Sequence, residues 1–228
     1  MNAHIITPAS DPANCTDFYE RCGFSIVNDA SPALVTDGQV LIEVDPDRFA
    51  RAGLKCFNVP ASVIDALQKI ARLHPVEGGH IVGDPNGVRV YLMTGPGPML
   101  EFSGKPQSIL GNFAGMGIET MNMERSLAFW TTLGYTISMG KAGDAWLMLA
   151  ADGCPSLSLM APLMCPHLFF NPSLTYFNGK EGNPKVIAAV RKAGIPITEE
   201  ITHFNKDGMV DNIIIRDPGG LGFFLFND

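Results

Sequence analysis

Between Gly115 and Ile137 the apolar and polar positions change period twice. Met116, Ile118 and Thr120 alternate with Gly117, Glu119 and Met121, the period-two pattern of a half-buried strand. Asn122 then offers an N-cap, with Arg125 rather than an acid three residues on. Leu127, Phe129, Trp130 and Leu133 give the following helix one apolar face. Gly134 stops it where a left-handed residue is easiest, and Tyr135 and Ile137 open the next strand.

The same order stands earlier, from His4 to Phe24. Phe18-Tyr19 answers Phe129-Trp130 and Cys22-Gly23-Phe24 answers Leu133-Gly134-Tyr135, both 111 residues apart. Near the ends of the halves, Asp84-Pro85-Asn86-Gly87 precedes VRVYLM and Asp217-Pro218-Gly219-Gly220 precedes LGFFLF, at an offset of 133. A repeat in fixed order outweighs local propensity as a guide to organisation, and the second copy carries extra length.

Each half divides again. His4 to Ile6 reads as a strand and Asn14 to Arg21 as a helix, followed by three short strands at 24–27, 33–36 and 40–44. A strand from Leu54, a helix over Ser62 to Leu73, a strand over His80 to Val82 and one over Val88 to Met93 complete the first half. The stretches Gly95–Pro98 and Ser103–Gln107 read as a linker between domains at 1–103 and 111–228. In the second half Leu163 to Pro172 is an insertion without counterpart. A helix is expected to start at Asn183-Pro184, with proline in its first turn. Thr202–Asn205 and Met209–Ile215 are expected to pair as a hairpin across Lys206-Asp207-Gly208.

Composition narrows the class. The chain has 228 residues, 46% apolar and 17% charged, which suits folded domains rather than disorder. The net charge of −7 and scattered Lys and Arg argue against nucleic-acid or membrane-surface partners. No apolar run approaches a membrane span, and the first residues lack the pattern of a secretory leader. Five cysteines without a C-x-x-C spacing suggest neither a disulfide framework nor a zinc site, so a reduced, cytoplasmic protein is expected.

Repeated βαβββ units, an aromatic pair on the first helix, a following Gly-aromatic step and a DPxG turn before the last strand resemble the vicinal oxygen chelate superfamily. That superfamily includes glyoxalase I, extradiol ring-cleaving dioxygenases, and fosfomycin- and bleomycin-resistance proteins. The resemblance covers nearly the whole chain. It implies an α+β fold of four modules in two glyoxalase-like domains, whose curved mixed sheets form cups. It also implies a divalent metal (Fe, Mn, Ni or Zn) in a cup, held by side chains from the first and last strands of modules. His and carboxylate donors suit such ions.

Placed on this pattern, the first module offers His4 and Glu43. The second offers Leu54 or a neighbour, and Tyr91 where an acid would stand. The third has Gly115 in the histidine position and Ser158 on its last strand; the fourth has Thr175 or Ser173, then Phe224 in the acid position. Two of four ligands are therefore present in the first domain and none in the second. Each residue also has a plainer role. A lone His4 is more often a satisfied histidine, Glu43 a charge that blunts a strand edge, Tyr91 and Phe224 pocket walls or core.

Two function classes follow. One is a binding protein without a metal cofactor, whose cup of Tyr91, Trp146, Ser158, Thr175 and Phe224 holds or sequesters an apolar or aromatic small molecule. The bleomycin-resistance branch of the resembled superfamily works in this way. The other is a metal-dependent lyase, epimerase or ring-cleaving dioxygenase using His4 and Glu43. The expected partners are a small-molecule ligand and, for assembly, a second copy in a homodimer. Because two donors hold a divalent ion weakly, the first cup is expected to show a hydrogen-bonded His4–Glu43 pair or a loosely held metal.

Overall fold

The computed structural model describes residues 1–98 and 105–227, so the expected domain boundary at residue 103 lies outside the described residues. The first half runs β1 (Asn2–Pro8), α1 (Pro12–Arg21), β2 (Ser25–Asn28), β3 (Ala33–Thr36) and β4 (Leu41–Asp45). It continues with β5 (Gly53–Phe57), α2 (Ala61–Gln68), β6 (His74–Val76), β7 (Gly79–Gly83) and β8 (Arg89–Met93). The second half repeats this as β9 (Phe113–Glu119), α3 (Met123–Thr132), β10 (Thr136–Met139), β11 (Trp146–Ala150) and β12 (Leu157–Met160). Its last module is β13 (Ser173–Phe177), α4 (Gly179–Lys192), β14 (Ile197–Ile201), β15 (Asn212–Arg216) and β16 (Gly222–Phe226). These are four βαβββ modules in an α+β fold.

The modules pair into two eight-stranded sheets of identical order, β2-β3-β4-β1-β5-β8-β7-β6 and β10-β11-β12-β9-β13-β16-β15-β14. In each, the first strands of two modules run antiparallel at the centre and each lies parallel to the last strand of its own module. One sequence rule builds both sheets. The strands alternate, and alternate residues such as Ile5, Ile42, Leu54 and Val90, or Met116, Leu157, Leu174 and Phe223, join one buried core.

The helices begin where short polar side chains cap them. Asn122 accepts from the Arg125 amide at 2.9 Å, so the cap works without its acidic partner. Asp11 caps α1 at the Asn14 amide and Pro12 fits the first turn, which sets the start two residues before Asn14. Gly23 and Gly134 take positive φ values of 87° and 105° as the chain leaves α1 and α3.

The halves brace each other through the two DPxG turns. Asp217, before the last strand of the second half, accepts from the Thr7 hydroxyl at 2.7 Å and the Tyr19 hydroxyl at 2.9 Å in the first. Asp84, its counterpart, lies beside the Trp130 indole of the second half, close enough to feel that dipole but outside hydrogen-bond geometry. Its neighbour Asn86 donates to the Ser126 hydroxyl at 3.0 Å. Burial raises the pKa of both Asp217 and Asp84, against the hydrogen bonds that lower it.

Three expected elements differ. The strand that pairs with β15 is Ile197–Ile201, not Thr202–Asn205, so residues 202–211 form a loop rather than a hairpin arm. Helix α2 ends at Gln68, and His74–Val76, beyond the expected helix, pairs with β7. Helix α4 starts at Gly179 with Pro184 inside it. The buried Asn183 side chain donates to the carbonyls of Asp211 and Leu225, pinning that turn to the sheet.

Candidate functional site

On the face opposite the core, the four central strands of each sheet bring residues together at matched register positions. In the first sheet these are His4, Glu43, Lys55 and Tyr91. Register places His4 across from Lys55 and Lys55 across from Tyr91, while Glu43 lies beside Ile6 on the neighbouring parallel strand. His4 Nε2 lies 2.9 Å from Glu43 Oε2, and Lys55 Nζ donates to Glu43 Oε1 at 2.7 Å. His4 and Glu43 are each only 3% exposed, and the Phe57 ring covers the imidazole with its centroid 5.2 Å away. Burial alone would raise the Glu43 pKa. The hydrogen bonds from His4 and Lys55, with the ammonium charge, outweigh it and hold the carboxyl below its usual range. Tyr91 is half-buried on this face, its pKa raised by burial.

The equivalent positions of the second sheet are Gly115, Ser158, Thr175 and Phe224. None carries a charge. They form part of the wall of a cavity of about 810 Å³. Gly115 and its neighbour Gly117 leave the central strand bare. A Cβ at Gly115 would meet the Ser156 carbonyl oxygen at 2.6 Å, and φ there is 148°, so that close backbone approach calls for glycine. Trp146 and Met148 on β11, Met160 on β12 and Phe226 on β16 extend the wall.

The insertion closes one side. Asn171 copies a strand edge by accepting from the Glu119 amide and donating to the Glu119 carbonyl, both at 2.8 Å. This holds Phe169 with its ring centroid 5.2 Å from Phe224, and His167 at 5.3 Å from both Phe224 and Phe226. Phe204 and Met209, from the loop expected to be a hairpin, also line the cavity.

The structure thus sorts the expected site residues into two places. Trp146, Ser158, Thr175 and Phe224 share the second cup. Tyr91 does not line that cavity, since it stands on β8 of the first sheet with His4 and Glu43. Sequence reasoning missed Lys55, because the second module carried no recognisable donor and Leu54 marked its first strand. It also missed Met148, Met160 and Phe226. The signal was there: each lies two residues beyond a predicted wall residue on the same strand face.

The donors do not fit the divalent ion that the resemblance implies. In the first cup the histidine and one carboxylate oxygen are spent on each other, and an ammonium holds the second oxygen. In the second cup a glycine, two hydroxyls and a phenyl ring replace the donor set. Among the described residues no group of three or more His, Cys, Asp or Glu side chains converges to hold a metal.

No protein-family model and no curated protein matches the chain. Solved structures do. The 2,2',3-trihydroxybiphenyl 1,2-dioxygenase of Sphingomonas wittichii strain RW1 aligns with a TM-score of 0.53 at 14% identity, covering 98% of this chain and 88% of that one. A catechol 2,3-dioxygenase aligns at 0.52 and 16%, covering 97% and 85%. The 2,3-dioxygenase LapB of Pseudomonas sp. KL28 aligns at 0.53 and 12%, covering 98% and 89%. At these identities the likeness establishes the fold alone: this chain shares the tandem βαβββ fold of these dioxygenases.

Proposed function

We propose that the second cup captures a largely apolar, aromatic small molecule without the help of a metal. The observation that carries this is the cavity itself. Its volume of about 810 Å³ lies in the range of ligand sites. Aromatic rings and thioethers, among them Trp146, Phe169, Phe224, Met148 and Met160, supply much of its apolar wall. The Ser158 and Thr175 hydroxyls stand on either side of the bare β9 strand and offer polar contacts to orient a guest, while Lys180, Lys206 and Asp211 bring charged side chains to the same cavity. The similarity in fold to dioxygenases named for hydroxylated biphenyl and catechol supports an aromatic guest.

The alternative, a metal-dependent ring-cleaving enzyme, is favoured by that fold likeness but not by the donors. A reaction at His4 and Glu43 would need a substrate to reach two side chains that are 3% exposed.

The test is a fluorescence titration with N-phenyl-naphthylamine, a neutral aromatic probe that brightens in apolar surroundings. The parent protein is expected to bind it saturably. Ser158→Phe, which places a ring inside the cavity, is expected to weaken binding by at least about tenfold, the scale of one lost apolar side-chain contact. Equal binding by parent and variant would refute the reading.

A further inference from the structure

We propose that Lys55 is the resident cation of the first cup, and that this one side chain keeps a latent divalent-metal site closed. Three observations lead there. First, position 55 is a donor position by register. It faces His4 directly across the antiparallel pair and Tyr91 across the parallel one. Cross-strand neighbours of this kind sit about 4.5–5.5 Å apart at Cα, close enough for both side chains to reach one ion.

Second, His4 and Glu43 already converge close to the spacing of two ligands of one ion. Two ligands held tetrahedrally by one zinc-sized ion at about 2.1 Å lie roughly 3.4 Å apart. The observed separation of His4 Nε2 and Glu43 Oε2 is 2.9 Å. An ion entering between these atoms would replace their hydrogen bond and part them by about half an ångström.

Third, the positive charge that such a pair calls for is supplied from within. Lys55 Nζ sits 2.7 Å from Glu43 Oε1, and the lysine side chain is only 20% exposed. A carboxylate as buried as Glu43 requires a cation or equivalent donors. Lysine meets that need covalently, so no ion has to be taken from solution. It also places an ammonium where a divalent ion would meet like charge, and leaves no third donor. The matching strand positions of the second cup, Gly115, Ser158, Thr175 and Phe224, carry no lysine, so this inference does not depend on what that cup binds.

The test is to exchange the lysine and measure metal binding. Lys55→His supplies a third donor opposite His4. It is expected to bind one Co²⁺ per chain at least about a hundredfold more tightly than the parent, as three protein ligands exceed two, with visible absorption bands of cobalt in a low-symmetry site. Adding His4→Ala to Lys55→His is expected to abolish both. Should Lys55→His fail to fold, Lys55→Met decides. It keeps the stem and removes the charge, so a His4-dependent gain of about tenfold in Co²⁺ affinity supports the proposal. Two results overturn it: the parent binding Co²⁺ through His4 as tightly as Lys55→His, or a folded variant showing no gain.

Discussion

The two cups are built on the same register from the same strand order, yet they solve opposite problems. The first fills its four inward positions with His4, Glu43, Lys55 and Tyr91 and ties three of them into a buried, hydrogen-bonded ion cluster. The second fills the same positions with Gly115, Ser158, Thr175 and Phe224 and keeps its volume open. A repeated fold therefore fixes where side chains converge, while residue type decides whether the convergence becomes internal cement or a receptacle.

The largest expected difference is in stability. Glu43→Ala leaves a buried imidazole and an ammonium without their partner, and breaking a buried ion pair from one side costs about 3–5 kcal/mol. Ser158→Ala in the second cup removes a hydroxyl that faces the cavity and is expected to stay within about 0.5 kcal/mol of the parent. Urea unfolding of both variants checks this. A Glu43→Ala protein as stable as Ser158→Ala would dissolve the contrast.

A smaller effect separates the cups by pH. Glu43 has a lowered pKa in the folded state, so its contribution is fully present above the ordinary carboxylate range. It is lost as pH falls through that range towards the folded value. The raised carboxyls Asp217 and Asp84 act in the opposite sense, favouring the folded state as pH falls. The stability gap between parent and Glu43→Gln is therefore expected to shrink between about pH 5 and pH 3. The gap between parent and Ser158→Ala is expected not to change over the same interval. Urea midpoints across that range read both.

The smallest effect concerns polar recognition in the second cup. Thr175→Val keeps the shape and removes one hydroxyl, so a guest bearing a phenol is expected to lose about two- to tenfold in affinity, and its hydrocarbon parent almost nothing. Paired calorimetric titrations on parent and variant separate the two guests. Equal losses would assign Thr175 a packing role only.

Much of this was legible in the chain. The offset of 111 residues between Phe18 and Phe129 also aligns β1 with β9, which is why His4 and Gly115 occupy one structural position. His4 and Glu43 could be paired because parallel neighbours in a module carry the donor positions of the superfamily the sequence resembles. Lys55 could not, because a lysine is not a metal ligand in any pattern sought, and only its 2.7 Å contact with Glu43 reveals it as a cation in that place. The extent of the second cavity was hidden for another reason. Its walls include residues 165–169 and 204–210, segments with neither strand nor helix period, and their placement follows from Asn171 docking on Glu119 and from β14 starting at Ile197.

The central claim is that an apolar guest enters the second cup and leaves the first undisturbed. Methionines report on both: Met148 and Met160 line the second cavity, whereas Met93 stands two residues beyond Tyr91 on the same face of β8. Methyl spectra of the protein labelled at methionine, recorded through a titration with N-phenyl-naphthylamine, test the claim most directly. The account expects the Met148 and Met160 resonances to shift to saturation while Met93 stays fixed. Saturable movement of Met93, with Met148 and Met160 unmoved, would contradict it.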